Sequence, residues 1–210
     1  LHSFPTRRSS DLNYTNLLQT TLEKAKPIVK LPIVWNSSGY ETIANLKKMD
    51  GLVDVYLPDF KYSDDDLAWE YSHAKGYREV ALAALAEMRR QQPEDVFDDD
   101  GMMQKGVIVR HLVLPGKIEN TATAFKDIAS VDKDMFVSVM GQYFPTDNVK
   151  NHPTLSRRLT TSEYDEAIDA FFSAGLHNGF SQDLDSATEE YVPDFDLQEV
   201  RNIIDIYKQS

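Results

Sequence analysis

A chain of 210 residues with 41% hydrophobic and 27% charged content is long enough for one domain with a sizeable core, and a soluble globular domain is the expectation. Its formal charge of −12, with acidic runs at 64–66, 98–100 and 189–190, would repel a phosphate backbone and argues against nucleic acid as a partner. The lack of cysteine excludes disulfides, a thiolate nucleophile and thiolate-held metal within the chain, and the longest apolar run, 107–114, is broken by Arg110 and His111 and too short to cross a bilayer.

Residues 1–12 are basic where the rest is acidic and show neither helical nor strand periodicity. They resemble the translation of a common sequencing-adapter oligonucleotide, so they are set apart as a disordered artefact, the alternative being a native tail. No apolar stretch follows Arg7 and Arg8, so the segment does not read as a secretory signal and a cytoplasmic location is expected. From Asn13 the pattern is regular. Leu17, Leu18, Leu22 and Ala25 predict a helix over 14–26 that Pro27 stops.

The run 31–36 is β-type and exits through Ser37, Ser38 and Gly39; a helix over 41–49 follows, then a second β-run over 52–57 closed by Pro58 and Asp59. Val80, Ala81, Ala84, Leu85 and Met88 form a one-sided stripe on strong helix formers and predict a helix over 77–91. After a polar break at 95–101 come a β-branched run over 106–114 ended by Pro115 and Gly116, a helix over 122–129, and a strand over 135–140. Thr161 to Glu163 open a helix that Gly175 stops, and Leu197, Val200, Ile203, Ile204 and Tyr207 mark a last helix over 194–209. The acidic runs read as solvated loops, since three adjacent carboxylates on one loop do not converge on an ion.

Strands alternating with helices predict a parallel α/β sheet, either a barrel or an open doubly wound sheet. In both, ligands sit at the C-terminal strand ends, where this chain is polar: Asn36, Asp59 with Lys61, Arg110, and Gln142 with Tyr143. Asp59 and Lys61 are two apart and face the same side, either to hold a polar ligand or as a salt bridge at a rim. Arg110 in an apolar strand needs an anionic ligand or a partner such as Asp54 or Asp59. His111 points the opposite way and reads as a core histidine. No phosphate loop, dinucleotide fingerprint, zinc helix or nucleophile elbow is present.

Several ordered segments carry a resemblance. Residues 31–40 (LPIVWNSSGY) resemble the third-strand signature of radical S-adenosylmethionine (SAM) proteins of the pyruvate formate-lyase activating enzyme type; 53–61 resemble the fourth-strand segment, 71–72 with 87–91 the helix region after it, 109–116 the fifth strand and 139–145 the sixth. The resemblance implies the C-terminal half of a partial parallel (β/α)6 barrel over 13–145, with a C-terminal helical appendix over 146–210. It implies SAM contacts at Asn36, Asp59, Lys61 and Arg110, with Tyr143 near the adenine or as a packing residue. It also implies a 4Fe-4S cluster held by a C-x-x-x-C-x-x-C motif in the intact parent, which would form a 5′-deoxyadenosyl radical, and a glycyl radical enzyme or another hydrogen donor as partner. This chain departs from the pattern: both the cysteine segment and the glycine-rich second-strand segment are missing, so no catalytic residue is assigned and the chain alone is expected to be inactive. A cysteine-free binding module, or an aldolase-type barrel using Lys61 as Schiff base, are the alternatives.

Overall fold

The computed structural model describes residues 12–181; the N-terminal segment up to residue 11 and the expected helix over 194–209 lie outside the described residues. Helix α1 (Leu12–Ala25) leads into strand β1 (Val34–Ser37), helix α2 (Ile43–Lys48) and strand β2 (Val55–Pro58). Helices α3 (Asp65–Ser72) and α4 (Tyr77–Gln91) follow, then β3 (Val96–Phe97), β4 (Met103–Leu112), α5 (Ile118–Val131), β5 (Phe136–Met140), a 3₁₀ turn (Asp147–Val149), α6 (Thr161–Ser173) and β6 (Gly179–Ser181).

The main sheet is parallel, in the order β1-β2-β4-β5-β6, with β3 pairing antiparallel on β4. Strand order never reverses along the chain. With right-handed crossovers, a sheet wound in one direction puts all its helices on the same side, so the arrangement is a barrel arc and not a doubly wound sheet with a switch point. The helices accordingly pack in sequence order, α1 on α2, α2 on α4, α4 on α5 and α5 on α6.

Side-chain alternation follows from this winding. Tyr56, Val107, Val109, His111, Val137 and Val139 are buried against the helices, whereas their neighbours Leu57, Ile108, Arg110, Leu112, Phe136, Ser138 and Met140 stay partly exposed on the other face. That second face carries Phe136 between Phe97 and Phe180, at ring separations of 5.1 and 6.0 Å. Among the described residues no helix covers it. The core therefore lies between the convex face of the sheet and its helices, centred on Tyr56, Phe60, Met88, Phe125 and Ile128.

Several elements differ from the sequence reading, each for a local reason. The first strand starts at Val34 and not at Leu31, whose side chain is exposed. Residues 64–66 are solvent-exposed as expected but open a helix instead of a loop: the Asp64 carboxylate accepts the N–H groups of Asp66 and Leu67 and caps α3. Helix α5 begins at Ile118, four residues early, because its first turns bury the polar Asn120 and Thr121. The polar break at 95–101 contains β3, and β6 extends the sheet beyond β5.

Candidate functional site

The register of the strands brings the strand-end residues together. Even-numbered N–H groups of β2 and its exit face β4, as shown by Phe60 N–H donating to the Arg110 carbonyl, and odd-numbered ones face β1, as in Val55 to Ile33 and Asp59 to Ser37. Pro58 therefore withholds a donor that would have gone to β4. The β2–β4 ladder accordingly lapses after Tyr56–Val107 and returns only as a single bridge between Asp59 and Arg110. That bridge places the two side chains side by side on the uncovered face.

There the guanidinium of Arg110 donates through one nitrogen to Asp59 Oδ1 at 2.6 Å and to Asn36 Oδ1 at 2.7 Å. The other Asp59 oxygen lies 3.5 Å from Lys61 Nζ. Asn36, Asp59, Lys61 and Arg110 thus form one continuous polar chain across β1, β2 and β4. Of the two pairings open to Arg110, Asp59 is the one made. Asp54 instead binds Lys26 at 3.0 Å and the Ile33 N–H at 2.9 Å, at the other end of the strands.

The cluster is only partly closed to water, with Lys61 41% and Arg110 29% exposed, which keeps it open to a ligand. Arg110 Nε is buried without a partner, as is Gln142 Oε1 on the exit of β5. A buried donor left unpaired is costly and marks a place where a polar group from elsewhere would be stabilised. Ser138 stands beside Arg110 in the β4–β5 register.

Tyr143 does not join this chain. Its hydroxyl donates to the Leu155 carbonyl at 2.8 Å, and burial pushes its pKa up to about 12, so it stays protonated and holds the segment leading to α6. His111 faces the helices: Nδ1 meets the Phe60 carbonyl at 2.6 Å and Nε2 the Thr121 hydroxyl at 3.0 Å. Because a carbonyl only accepts, the proton sits on Nδ1 and Thr121 donates to Nε2. Burial lowers the His111 pKa from 6.5 to about 4, against the opposing pull of the Phe60 carbonyl.

Lys61, ion-paired to Asp59, lacks the desolvated setting that activates a Schiff-base lysine. A four-iron cluster does not fit this chain either. The sequence holds no cysteine, and the described residues offer no group of three metal-ligating side chains. A recess of about 490 Å³ opens at the opposite strand ends, lined by Lys26, Asp54 and Lys105, and a smaller one of about 130 Å³ lies against Phe171 and Phe180. The strand-end chemistry is in neither. Of the residues lining the larger recess, Lys26 and Asp54 are already bonded to each other.

No family model matches the chain. An uncharacterized protein of Methanocaldococcus jannaschii is 31% identical over 140 residues, covering 66% of this chain and 37% of that protein, so the match spans well under half of the relative's length. A crystal structure of a domain of pyruvate-formate lyase-activating enzyme from Bacteroides vulgatus superposes with a TM-score of 0.59 over 81% of this chain and 92% of that one, at 9% identity. At that identity the likeness establishes a shared fold. No helix among the described residues is long and apolar enough to cross a membrane.

Proposed function

We propose that this chain is the C-terminal part of a radical SAM enzyme of the activating-enzyme type, and that Asn36, Asp59, Lys61 and Arg110 hold the amino-acid end of SAM. The observation that carries the reading is the gathering of both charge signs at the C-terminal strand ends of a barrel arc, with the buried Nε of Arg110 left unpartnered. A zwitterion carrying a carboxylate and an ammonium suits such a set: Arg110 and Lys61 face the anion, Asp59 the cation, and Asn36 serves either. The fold shared with the activating-enzyme domain and the ordered sequence segments support the family assignment.

SAM, when bound beside a reduced iron–sulfur cluster, supplies a 5′-deoxyadenosyl radical; the cluster ligands would come from a cysteine-bearing segment outside this chain. What these residues do is bind and orient. The partner would be a glycyl radical enzyme or another hydrogen donor reached from the open face.

The test is SAM binding by calorimetry to the 210-residue chain, alone and mixed with a cysteine-bearing N-terminal half-barrel from a relative. Arg110→Met and Asp59→Asn are each expected to weaken binding by about tenfold or more, since loss of one charge-assisted hydrogen bond is worth about 1.5 kcal/mol or more. SAM binding that is unchanged in both variants would refute the site. A second reading, a cysteine-free binding module without enzymatic activity, is favoured by the missing cysteines; the mixed sample separates the two, because only the first predicts cluster assembly on mixing.

A further inference from the structure

Asn36 leaves from the end of β1 and Asp59 with Lys61 from the end of β2, so the geometry of the cluster depends on how these two strand exits are held against each other. Beyond the backbone bond from the Asp59 N–H to the Ser37 carbonyl at 2.9 Å, a side-chain hydroxyl does this. Tyr77, at the start of α4 and 2% exposed, places its Oη 3.2 Å from the Ser38 carbonyl and 3.1 Å from the Asp59 carbonyl, and accepts the Lys61 N–H at 3.0 Å.

The approach is possible only because residue 39 is glycine. Gly39 has φ +74°, and a Cβ there would stand 2.0 Å from the Asp59 carbonyl oxygen. The Tyr77 ring itself is fixed by stacking on Tyr40 at 5.7 Å and by edge contacts with Phe60 and Tyr62 at 6.4 and 5.4 Å. On the far side of the β2 exit, Asn120 of α5 repeats the device, donating to the Lys61 carbonyl at 3.2 Å and accepting the Ser63 N–H at 2.8 Å. The backbone of Lys61 is therefore gripped from both sides while its side chain is left free to meet Asp59.

We infer that Tyr77 is the positioning residue of this site: its hydroxyl locks the β1 and β2 exits together and so sets where Asn36, Asp59 and Lys61 project around Arg110. This deepens the ligand site proposed above and rests on it for the identity of the ligand, but not for the geometry. Burial holds the Tyr77 hydroxyl far above the ordinary tyrosine range, so it keeps its proton and its donor role.

The experiment compares Tyr77→Phe with Tyr56→Phe in the full chain by nuclear magnetic resonance. Tyr56 is the control, an equally buried tyrosine whose hydroxyl bonds Gln91 away from both exits. Tyr77→Phe is expected to speed exchange of the Lys61 amide by about tenfold and to collapse the shift dispersion of the Arg110 guanidinium; Tyr56→Phe should change neither, though both lower the melting temperature. Gly39→Ala, which keeps the Tyr77 hydroxyl but sets a methyl 2.0 Å from the Asp59 carbonyl oxygen and so drives the exits apart, should reproduce the Arg110 effect and serves if Tyr77→Phe does not fold. Identical Lys61 exchange and Arg110 signals in the two tyrosine variants would overturn the inference. If Asp59→Asn leaves SAM binding intact while Tyr77→Phe still disturbs Arg110, the ligand is wrong and the positioning role stands.

Discussion

Arg110 and His111 are adjacent in β4 and show how strand parity sorts chemistry. One turns to the uncovered face and finds Asp59 and Asn36; the other turns to the helices and is sealed between Phe60 and Thr121. His111 makes a testable consequence. Its pKa in the folded chain is depressed to about 4, so the unfolded chain binds the extra proton at higher pH. The stability that its neutral form supports is fully present above pH ~6.5 and is lost as pH falls toward 4. The gap corresponds to about 3 kcal/mol. Urea midpoints measured between pH 7 and 4 should show this loss in the wild type, and His111→Gln should flatten the profile between about pH 6.5 and 5, above the carboxylate range, while lowering stability at pH 7. Wild-type midpoints that stay flat across the window would contradict it. The parity of Asp59, Lys61 and Arg110 was legible in the sequence because it needs only the period of a strand. The role of Tyr77 was not, because a hydroxyl at the start of an amphipathic stripe reads as core until the approach at Gly39 brings two carbonyls to it.

Helices were legible where one apolar stripe does all the packing, as in α4, whose observed span Tyr77–Gln91 coincides with the periodic pattern. They were blurred where polar residues are buried, as in α5, and strands of two or three residues such as β3 and β6 carry too little pattern to read. Helix α6 is tied down by its own N-terminus. Thr160 and Glu163 form a capping box, and the Glu163 carboxylate also accepts the Gly116 N–H at 2.7 Å and two bonds from Arg157. The Arg157 guanidinium foremost, with the N–H groups of Thr160 and Gly116, holds this carboxyl well below the usual range, so its contribution is present at neutral pH and fades only in acid. Thr160→Ala should cost about 1 kcal/mol. Glu163→Ala should cost more, about 2 kcal/mol, since it also frees Gly116 and Arg157. Thermal melts of the two variants check the order, and equal losses would mean that the link from α6 to the β4 exit through Gly116 contributes nothing.

At the scale of the whole molecule, strand order and crossover handedness put the helices among the described residues on one face of the sheet, and the other face holds the charged cluster at one end and the Phe97, Phe136 and Phe180 ladder at the other. β1 is an edge among the described residues, with Val34 exposed beside it. An arc of this kind, read as part of a radical SAM barrel, has a definite consequence for its chemistry. Iron–sulfur clusters are held by cysteine thiolates, the chain has none, and its described carboxylates and histidines nowhere gather in threes. After anaerobic treatment with iron and sulfide, the isolated chain should therefore show no four-iron signal by electron paramagnetic resonance on dithionite reduction, and should release no 5′-deoxyadenosine from SAM. Mixing with a cysteine-bearing N-terminal half-barrel should restore both, and should quench the fluorescence of a hydrophobic dye bound to the open face as that face is covered. A stoichiometric cluster on the chain alone would defeat the proposal outright. Dye displacement without cluster or 5′-deoxyadenosine would instead show that the face binds a partner half but that this cluster of residues does not serve SAM, which would favour the binding-module reading.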